Sequence, residues 1–280
     1  MNTNHLLKIY RHLFPHWVKN ALHDSIVELE RFHPPSTMTQ LPGERILVLA
    51  PHPDDECIGC GGAICRYLEQ GSRLLVVFVT DGRQGDRDLR ALPADSPQRE
   101  QMELELVARR RREARCALSV LGVSEFEFLD AADGELRQQV SPVSERLADI
   151  LAEFKPDVVM LPFLTDRHAD HFAVNTCLVK SIERLQGEWL RKLQCFGYEI
   201  WSPIYANALV DITAYMSSKR NALECYQSQL STRDYIAGME GLNQFRAVSG
   251  LTGGRYAEAF FAVPYKTYHR LYQQLLLQET

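Results

Sequence analysis

Two short stretches concentrate the groups that could do chemistry: His52-Pro53-Asp54-Asp55-Glu56 and Thr165-Asp166-Arg167-His168-Ala169-Asp170-His171. Three neighbouring carboxylates repel and raise one another's pKa, so the first stretch is costly unless a cation sits against it. His52 and Asp55 stand three residues apart across a turn stiffened by Pro53, so an imidazole and a carboxylate can meet one ion. Asp54 then points elsewhere, free for proton transfer, because successive side chains of an extended segment face opposite sides. His168 and His171 repeat the three-residue spacing, and either could complete the shell. Two imidazoles and a carboxylate form an N2O site, common for catalytic zinc and open to water and substrate; iron or manganese would tolerate the same set.

The elements that must hold these stretches follow from the apolar runs. Residues 46–50, apolar throughout between Arg45 and Pro51, read as a buried strand that empties into the first stretch. Residues 57–70 read as a helix closed by Gly71, 73–80 as a second strand, and 98–121 as a long helix ended by Gly122. Residues 125–129 make a third strand, and Ser141 and Pro142 supply an N-cap and a first-turn proline for a helix to Phe154. A fourth strand, 158–161, leads into the second stretch, which opens a helix over 172–185. Strands near 195–200 and 208–211 follow, with helices after Thr213, Thr232 and Pro264.

This alternation predicts an α/β fold: a Rossmann-like, doubly wound, mostly parallel sheet with helices on both faces. In such sheets ligands bind beyond the carboxyl ends of the strands, where the strand order reverses. With the order 3-2-1-4, strands 1 and 4 are neighbours at the reversal. The two stretches, more than a hundred residues apart, then share one crevice.

At 280 residues, with 45% apolar and 24% charged residues, the composition is that of a soluble globular protein. A net charge of -5 provides no basic field for nucleic acid. No apolar run reaches the ~20 residues of a transmembrane helix. Lys8, Arg11 and His12 break the N-terminal apolar run, unlike a signal peptide. Seven irregularly spaced cysteines read as reduced core residues of a cytoplasmic protein. Residues 1–40 read as a helical arm and linker: Leu6, Tyr10, Leu13, Phe14, Trp17 and Val18 recur at helical spacing opposite Lys8, Arg11 and Lys19. Such an arm docks on its own domain, on a partner subunit in an oligomer, or peripherally on a membrane. Residues 41–280 read as one α/β domain.

Pro51-His52-Pro53-Asp54-Asp55-Glu56 with His168-Ala169-Asp170-His171 resembles the PIG-L/LmbE-like family of metal-dependent N-deacetylases. The similarity continues through Thr80-Asp81-Gly82-Arg83, Arg110-x-x-Glu113-Ala114, Tyr198-Glu199-Ile200-Trp201, Val210-Asp211-Ile212 and Lys219-x-x-Ala222-x-x-x-Tyr226-x-Ser228-Gln229. The resemblance implies His52, Asp55 and His171 as ligands of one Zn2+. It implies Asp54 as general base, His168 as the group that stabilises the oxyanion or protonates the leaving amine, and Asp170 as the residue that orients His168. It places Asp133 where relatives hold a sugar hydroxyl; apart from the resemblance, Arg83 and Asp86 in the polar loop 81–97 read either as a lid that meets the substrate or as a solvated loop. The activity implied is removal of an N-acetyl group from an amino sugar or glycoside such as an N-acetylglucosamine derivative. Pro51 stands where Ala or Gly is usual and Ala169 where Pro is usual; neither removes a functional group.

Plainer readings stand beside these. Gly59-Cys60-Gly61-Gly62 lacks the third glycine of a dinucleotide fingerprint, since Ile64 stands there, and reads instead as close helix-to-sheet packing. Cys57 and Cys60 read as core. Arg109–Arg112 reads as a solvated helix face. Tyr198 and Trp201 suit either buried core or a sugar-binding cleft. The rival class is a non-catalytic carbohydrate- or nucleotide-binding module.

Overall fold

The computed structural model describes residues 35–277 apart from 87, 88, 90, 94 and 252. Of the helical arm and linker expected over residues 1–40, residues 1–34 lie outside the described residues. Eight strands, β1 (Ser36–Thr37), β2 (Arg45–Ala50), β3 (Arg73–Thr80), β4 (Glu125–Ala131), β5 (Val158–Pro162), β6 (Gln194–Tyr198), β7 (Ala208–Asp211) and β8 (Ala257–Pro264), form one sheet. Their order is β1-β7-β8-β6-β5-β2-β3-β4. All neighbours run parallel except at β8, which is antiparallel to both β6 and β7. Among the described residues eight helices accompany them: α1 (Asp55–Glu69), α2 (Pro97–Leu121), α3 (Val140–Phe154), α4 (Ala169–Ile182), α5 (Met216–Glu224), α6 (Gln227–Leu230), α7 (Tyr235–Gly250) and α8 (Tyr265–Leu276).

The central strands are continuously apolar because both of their faces are covered. Ile46, Val48, Val76, Phe78 and Met160 enter a core with Ile64 and Tyr67 of α1, Leu118 of α2 and Leu223 of α5. The alternate residues Leu47, Leu49, Val77, Val159 and Leu161 enter a second core with Leu147 of α3, Leu178 of α4 and Tyr268 of α8. Helices therefore lie on both faces, as the alternation required. Each fully buried aliphatic side chain contributes ~1.5–3 kcal/mol relative to exposure.

Helix α1 approaches the sheet very closely. A Cβ at Gly59 would overlap the Tyr198 ring, and one at Gly62 would overlap Ile212. The helix also breaks at Cys60 (φ -148°, ψ 18°). Beyond the break, the N–H groups of Gly62 and Ala63 donate to the two carboxylate oxygens of Glu258, each at 2.8 Å. Glu258 in turn accepts from the buried Lys219 at 2.6 Å. An ion pair brought in from β8 and α5 thus caps the second part of the helix whose first turn carries Asp55.

Several sequence expectations are corrected. Ser36 and Thr37, read as linker, pair with Ala208 and Leu209. Strand β8 has no counterpart among the expected strands, although Gly253-Gly254 precedes it and Pro264 closes it. Helix α3 begins at Val140 with Gln139 as N-cap, one residue before the Ser141-Pro142 signal. Helix α4 begins at Ala169 rather than 172, because His168 caps it with its own side chain. A disulfide joins Cys116 to Cys225, so the expected set of seven reduced cysteines becomes five: Cys57, Cys60, Cys65, Cys177 and Cys195. Among the described residues no helix is long and apolar enough to cross a membrane.

Candidate metal centre and active site

Strand order reverses between β2 and β5, which pair in parallel with Ile46 opposite Val158. The segments leaving their carboxyl ends carry the two chemical stretches into one cleft of about 790 Å³. This volume is ordinary for a small-molecule site.

His52 Nδ1, Asp55 Oδ2 and His171 Nε2 form a triangle with sides of 3.1, 3.2 and 3.3 Å. Atoms held at ~2.0–2.1 Å by a tetrahedral ion lie roughly 3.3–3.4 Å apart, so the triangle fits a small divalent cation. Each imidazole is backed by carboxylate on its other nitrogen. His52 Nε2 stands 3.1 Å from Asp133 and 3.3 Å from Asp170, and His171 Nδ1 stands 3.2 Å from Asp166. Metal-binding imidazoles commonly have this backing, which fixes the tautomer that leaves the ligand nitrogen unprotonated.

Donor atoms of His52, His168 and His171, and of His52, Asp133 and Asp170, also approach one another within 4.8 Å. The hydrogen bonds favour the first triangle. Nδ1 of His168 accepts the Asp170 N–H at 3.3 Å, so its proton sits on Nε2 and the ring is a donor in the cleft. Asp170 meets His168 through its backbone N–H alone; its carboxylate accepts from Gly134 N at 2.7 Å and Leu136 N at 3.2 Å.

Asp54 is buried in a backbone conformation rare for a non-glycine residue, φ 127° and ψ -27°. Such conformations cost on the order of 1–3 kcal/mol and persist where their surroundings dictate them. Here Asp54 N donates to Glu56 Oε2 at 3.1 Å, and Arg110 donates to the carbonyl of Pro53. Glu56 is itself held by the Tyr226 hydroxyl at 2.6 Å. The strain turns Asp54 away from the triangle and toward Arg110, 3.2 Å away.

Electrostatics separates the two aspartates. Burial pushes the Asp54 carboxyl up to about 7, opposed by Arg110 and reinforced by Asp55. Burial also disfavours the Asp55 carboxylate, but His171 and His52 outweigh it and hold the pKa well below the usual range. Burial works against a charged His171, yet Asp55 and Asp166 raise it to about 9. His52 is raised too, because Asp133 and its neighbours outweigh burial. Burial and the charge of His52 lower His168.

These shifts give a signed pH dependence. A base whose folded pKa is raised stabilises the protein fully below its unfolded pKa and loses that contribution as pH rises through the folded value. For His171 the window runs from the ordinary imidazole value of 6.5 to about 9. The raised carboxyl of Asp54 acts in the same sense at lower pH. Protons and metal compete for the imidazoles. Chelator-treated protein is therefore expected to lose Tm between pH 6.5 and 9, while the Tm gain on adding metal grows. Calorimetry with and without chelator checks this; a pH-independent metal increment would refute the assignment of His171.

Other expectations divide. Asp133 lines the cleft, and Gln84 N donates to it at 2.9 Å. Arg83 is turned to Asp81, donating Nε to Oδ2 at 2.8 Å, and is not among the cleft-lining residues. Tyr198 is core, its hydroxyl donating to Leu49 O at 2.7 Å, whereas Trp201 is 42% exposed on the cleft. Arg110 corrects the reading of Arg109–Arg112 as a wholly solvated face, being only 2% exposed.

A His/Asp cluster at the switch point of an α/β sheet, with a buried carboxylate and a further imidazole beside it, suits metal-dependent hydrolysis. Residues 47–182, just under half of the chain, match the family described as PIG-L: GlcNAc-PI de-N-acetylase. It is 26% identical over 237 residues to a diacetylchitobiose deacetylase of Thermococcus kodakarensis, covering 79% of this chain and 84% of the relative. Its structure superposes on N,N'-diacetylchitobiose deacetylase from Pyrococcus horikoshii with TM-score 0.65 and 26% identity, covering 90% and 94% of the two chains. A 4-oxalmesaconate hydratase of Pseudomonas putida is 28% identical over 240 residues, covering 79% of this chain and 90% of the relative. None of these supports the rival reading of a silent binding module.

Proposed function

We propose that this chain removes an acetyl group from the amide nitrogen of an amino sugar, using one zinc ion held by His52, Asp55 and His171. The observation that carries the reading is the 3.1–3.3 Å triangle of those three side chains with Asp54 and His168 outside it. When bound there, the ion supplies Lewis acidity and lowers the pKa of its water from 15.7 toward ~7.

The rest falls to the protein's own groups. Asp54, buried beside Arg110, accepts a proton from the attacking water. The water oxygen bonds to the acyl carbon, and the Nε2–H of His168 meets the oxygen that gains charge. The carbon–nitrogen bond then breaks, and the proton taken by Asp54 passes to the departing amine, so acetate and a free amino sugar leave. Asp133 and Arg83 are the side chains proposed to meet sugar hydroxyls. Support for Asp133 is its place in the cleft; Arg83 must leave Asp81 to take part. A cytoplasmic setting is supported by five unpaired thiols, four of them buried, against the single Cys116–Cys225 bridge.

Metal analysis combined with acetate release from a panel of N-acetylated sugars tests the reading. Wild type is expected to carry about one divalent ion per chain. His171→Ala is expected to lose most of it, a loss of at least ~10-fold in affinity, while His168→Ala keeps it and loses turnover. The reverse pattern exchanges the two histidines, and hydration of an alkene acid without acetate release moves the protein to the hydratase branch of the fold.

A further inference from the structure

Helix α2 and the segment joining α5 to α6 meet in three successive contacts that run in opposite chain directions. At the cleft, the Arg110 guanidinium and the Gln229 amide both stand against Gly85, where a Cβ would approach them to 2.7 and 2.9 Å. One turn further along α2, Glu113 accepts from the N–H and hydroxyl of Ser228 at 2.9 and 2.6 Å. One turn beyond that, Cys116 is bonded to Cys225, their Cα atoms 5.9 Å apart, a separation usual for a disulfide.

The two partners of this bridge also hold the turn at Asp54. Arg110 of α2 stands 3.2 Å from the Asp54 carboxylate and donates to the carbonyl of Pro53. Tyr226, next in the chain to Cys225, donates its hydroxyl to Glu56 at 2.6 Å, and Glu56 accepts the Asp54 N–H. A covalent tie between α2 and Cys225 therefore holds together the two groups that grip the strained turn from either side.

Amide hydrolysis uses neither sulfur. Access sets this pair apart: Cys116 is exposed and Cys225 half-buried, whereas Cys57, Cys60, Cys177 and Cys195 are buried and unpaired. A chain of 280 residues with a core on each face of its sheet does not depend on a staple to fold. Where most thiols stay reduced, an accessible bridge is of the transient, redox-sensing kind. We propose that Cys116–Cys225 is a thiol–disulfide exchange site, at which a dithiol reductant lowers turnover by loosening the grip of Arg110 and Tyr226 on the Asp54 turn. The effect on turnover rests on the deacetylase reading; the exchange itself does not. A thiolate of the reductant attacks the exposed Cys116 Sγ, the bond to Cys225 Sγ breaks, and Cys225 leaves as a thiolate that takes up a proton. The second thiol of the reductant, giving up its proton, attacks its own sulfur in the mixed disulfide and releases Cys116, which is protonated in turn. The protein gains two electrons and two protons, and the reductant departs as a cyclic disulfide.

The intact chain is treated with dithiothreitol, freed of it by gel filtration under nitrogen, and loaded with zinc beside an untreated sample. Thiols titrated after denaturation should rise from five to seven. The bridge spans 109 positions, so Tm should fall by roughly 5–10 °C on reduction. Well below both Tm values, kcat for acetate release from the best N-acetylated sugar should fall roughly tenfold at unchanged metal content. Oxidised glutathione should restore it. Cys116→Ser/Cys225→Ser should show the lower kcat from the start and ignore dithiothreitol. Hydrogen exchange at the amides of residues 53–58 and 226–229 should quicken on reduction, which reads the loosened turn without turnover. Seven thiols before treatment, five after it, unchanged exchange at the Asp54 turn, or an unchanged kcat in an active enzyme overturns the exchange site and leaves the hydrolase standing. A fall in Tm with kcat unchanged marks the bridge as a staple only. If neither form releases acetate from any sugar, the hydrolase reading fails, and hydrogen exchange at the Asp54 turn decides the site alone.

Discussion

Asp54→Asn is expected to keep its metal and lose ~10²–10⁴ in kcat, the usual contribution of a general base. The substitution is nearly isosteric, and asparagine is among the side chains that tolerate positive φ, so the φ of 127° can be retained. The amide oxygen can still accept from Arg110, now 3.2 Å from Asp54 Oδ1, but it cannot take a proton. Burial pushes the Asp54 carboxyl up to about 7, so the wild-type rate should fall as pH drops through that region and the base becomes protonated. In Asp54→Asn this acidic limb should vanish from the pH profile. Asp55→Ala behaves differently: it removes one corner of the triangle, so metal content falls and added zinc restores part of the rate. Metal-free Asp54→Asn beside metal-replete, inactive Asp55→Ala would exchange the two roles. Full activity in both variants would end the hydrolase reading.

The roles of these neighbours are partly legible in the sequence, because a buried strand that empties into three carboxylates is tolerable only with a cation against them. The expected strand order 3-2-1-4 corresponds to β4-β3-β2-β5 in the sheet. It can be read because parallel strands covered on both faces leave unbroken apolar runs. Choosing between His168 and His171 needs the caps. His168 N-caps α4, which turns its Nδ1 toward a backbone N–H, while His171 sits in the first turn with Asp166 behind it. Helix-start signals place a cap to within a few residues, and that uncertainty decides which imidazole faces the ion.

Arg110 belongs to the motif Arg110-x-x-Glu113-Ala114, but its burial is hidden in the sequence for another reason. Four consecutive arginines read as a solvated face by composition, yet the helical spacing of Leu106, Arg110, Glu113, Ala114, Ala117 and Leu121 marks the buried stripe of α2. Following that stripe draws Arg110 and Glu113 inward. Glu113 accepts from Ser228 N at 2.9 Å and its hydroxyl at 2.6 Å, tying α2 to the segment that carries Tyr226 and Gln229. Arg110, Glu56 and Tyr226 therefore hold the strained turn at Asp54 from two sides. The pairing of Glu258 with Lys219 is not legible at all, since it joins a strand and a helix through the break at Cys60.

The same pair carries the largest stability effect expected in the molecule. Lys219→Met should destabilise the fold by roughly 3–5 kcal/mol, the cost of leaving a buried partner charge uncompensated. Lys219 is fully buried and donates to Glu258 at 2.6 Å and to Asn243 Oδ1 at 3.0 Å. Without the ammonium, Glu258 faces only the N–H groups of Gly62 and Ala63. Protonating the carboxyl to remove its charge turns one acceptor into a donor, so one of those N–H groups loses its partner. Lys219→Met/Glu258→Gln should recover part of the loss, because the amide is neutral and still accepts one N–H. An exposed pair provides the contrast: Arg191–Glu188 at 3.2 Å has both side chains about 80% exposed, and Arg191→Ala should leave the denaturation midpoint unchanged. Urea unfolding monitored by circular dichroism at constant m-value measures all three. A midpoint for Lys219→Met as close to wild type as that of Arg191→Ala would show that α1 holds its broken course without the ion pair. The placement of Asp55 at the head of that helix would then need another cause.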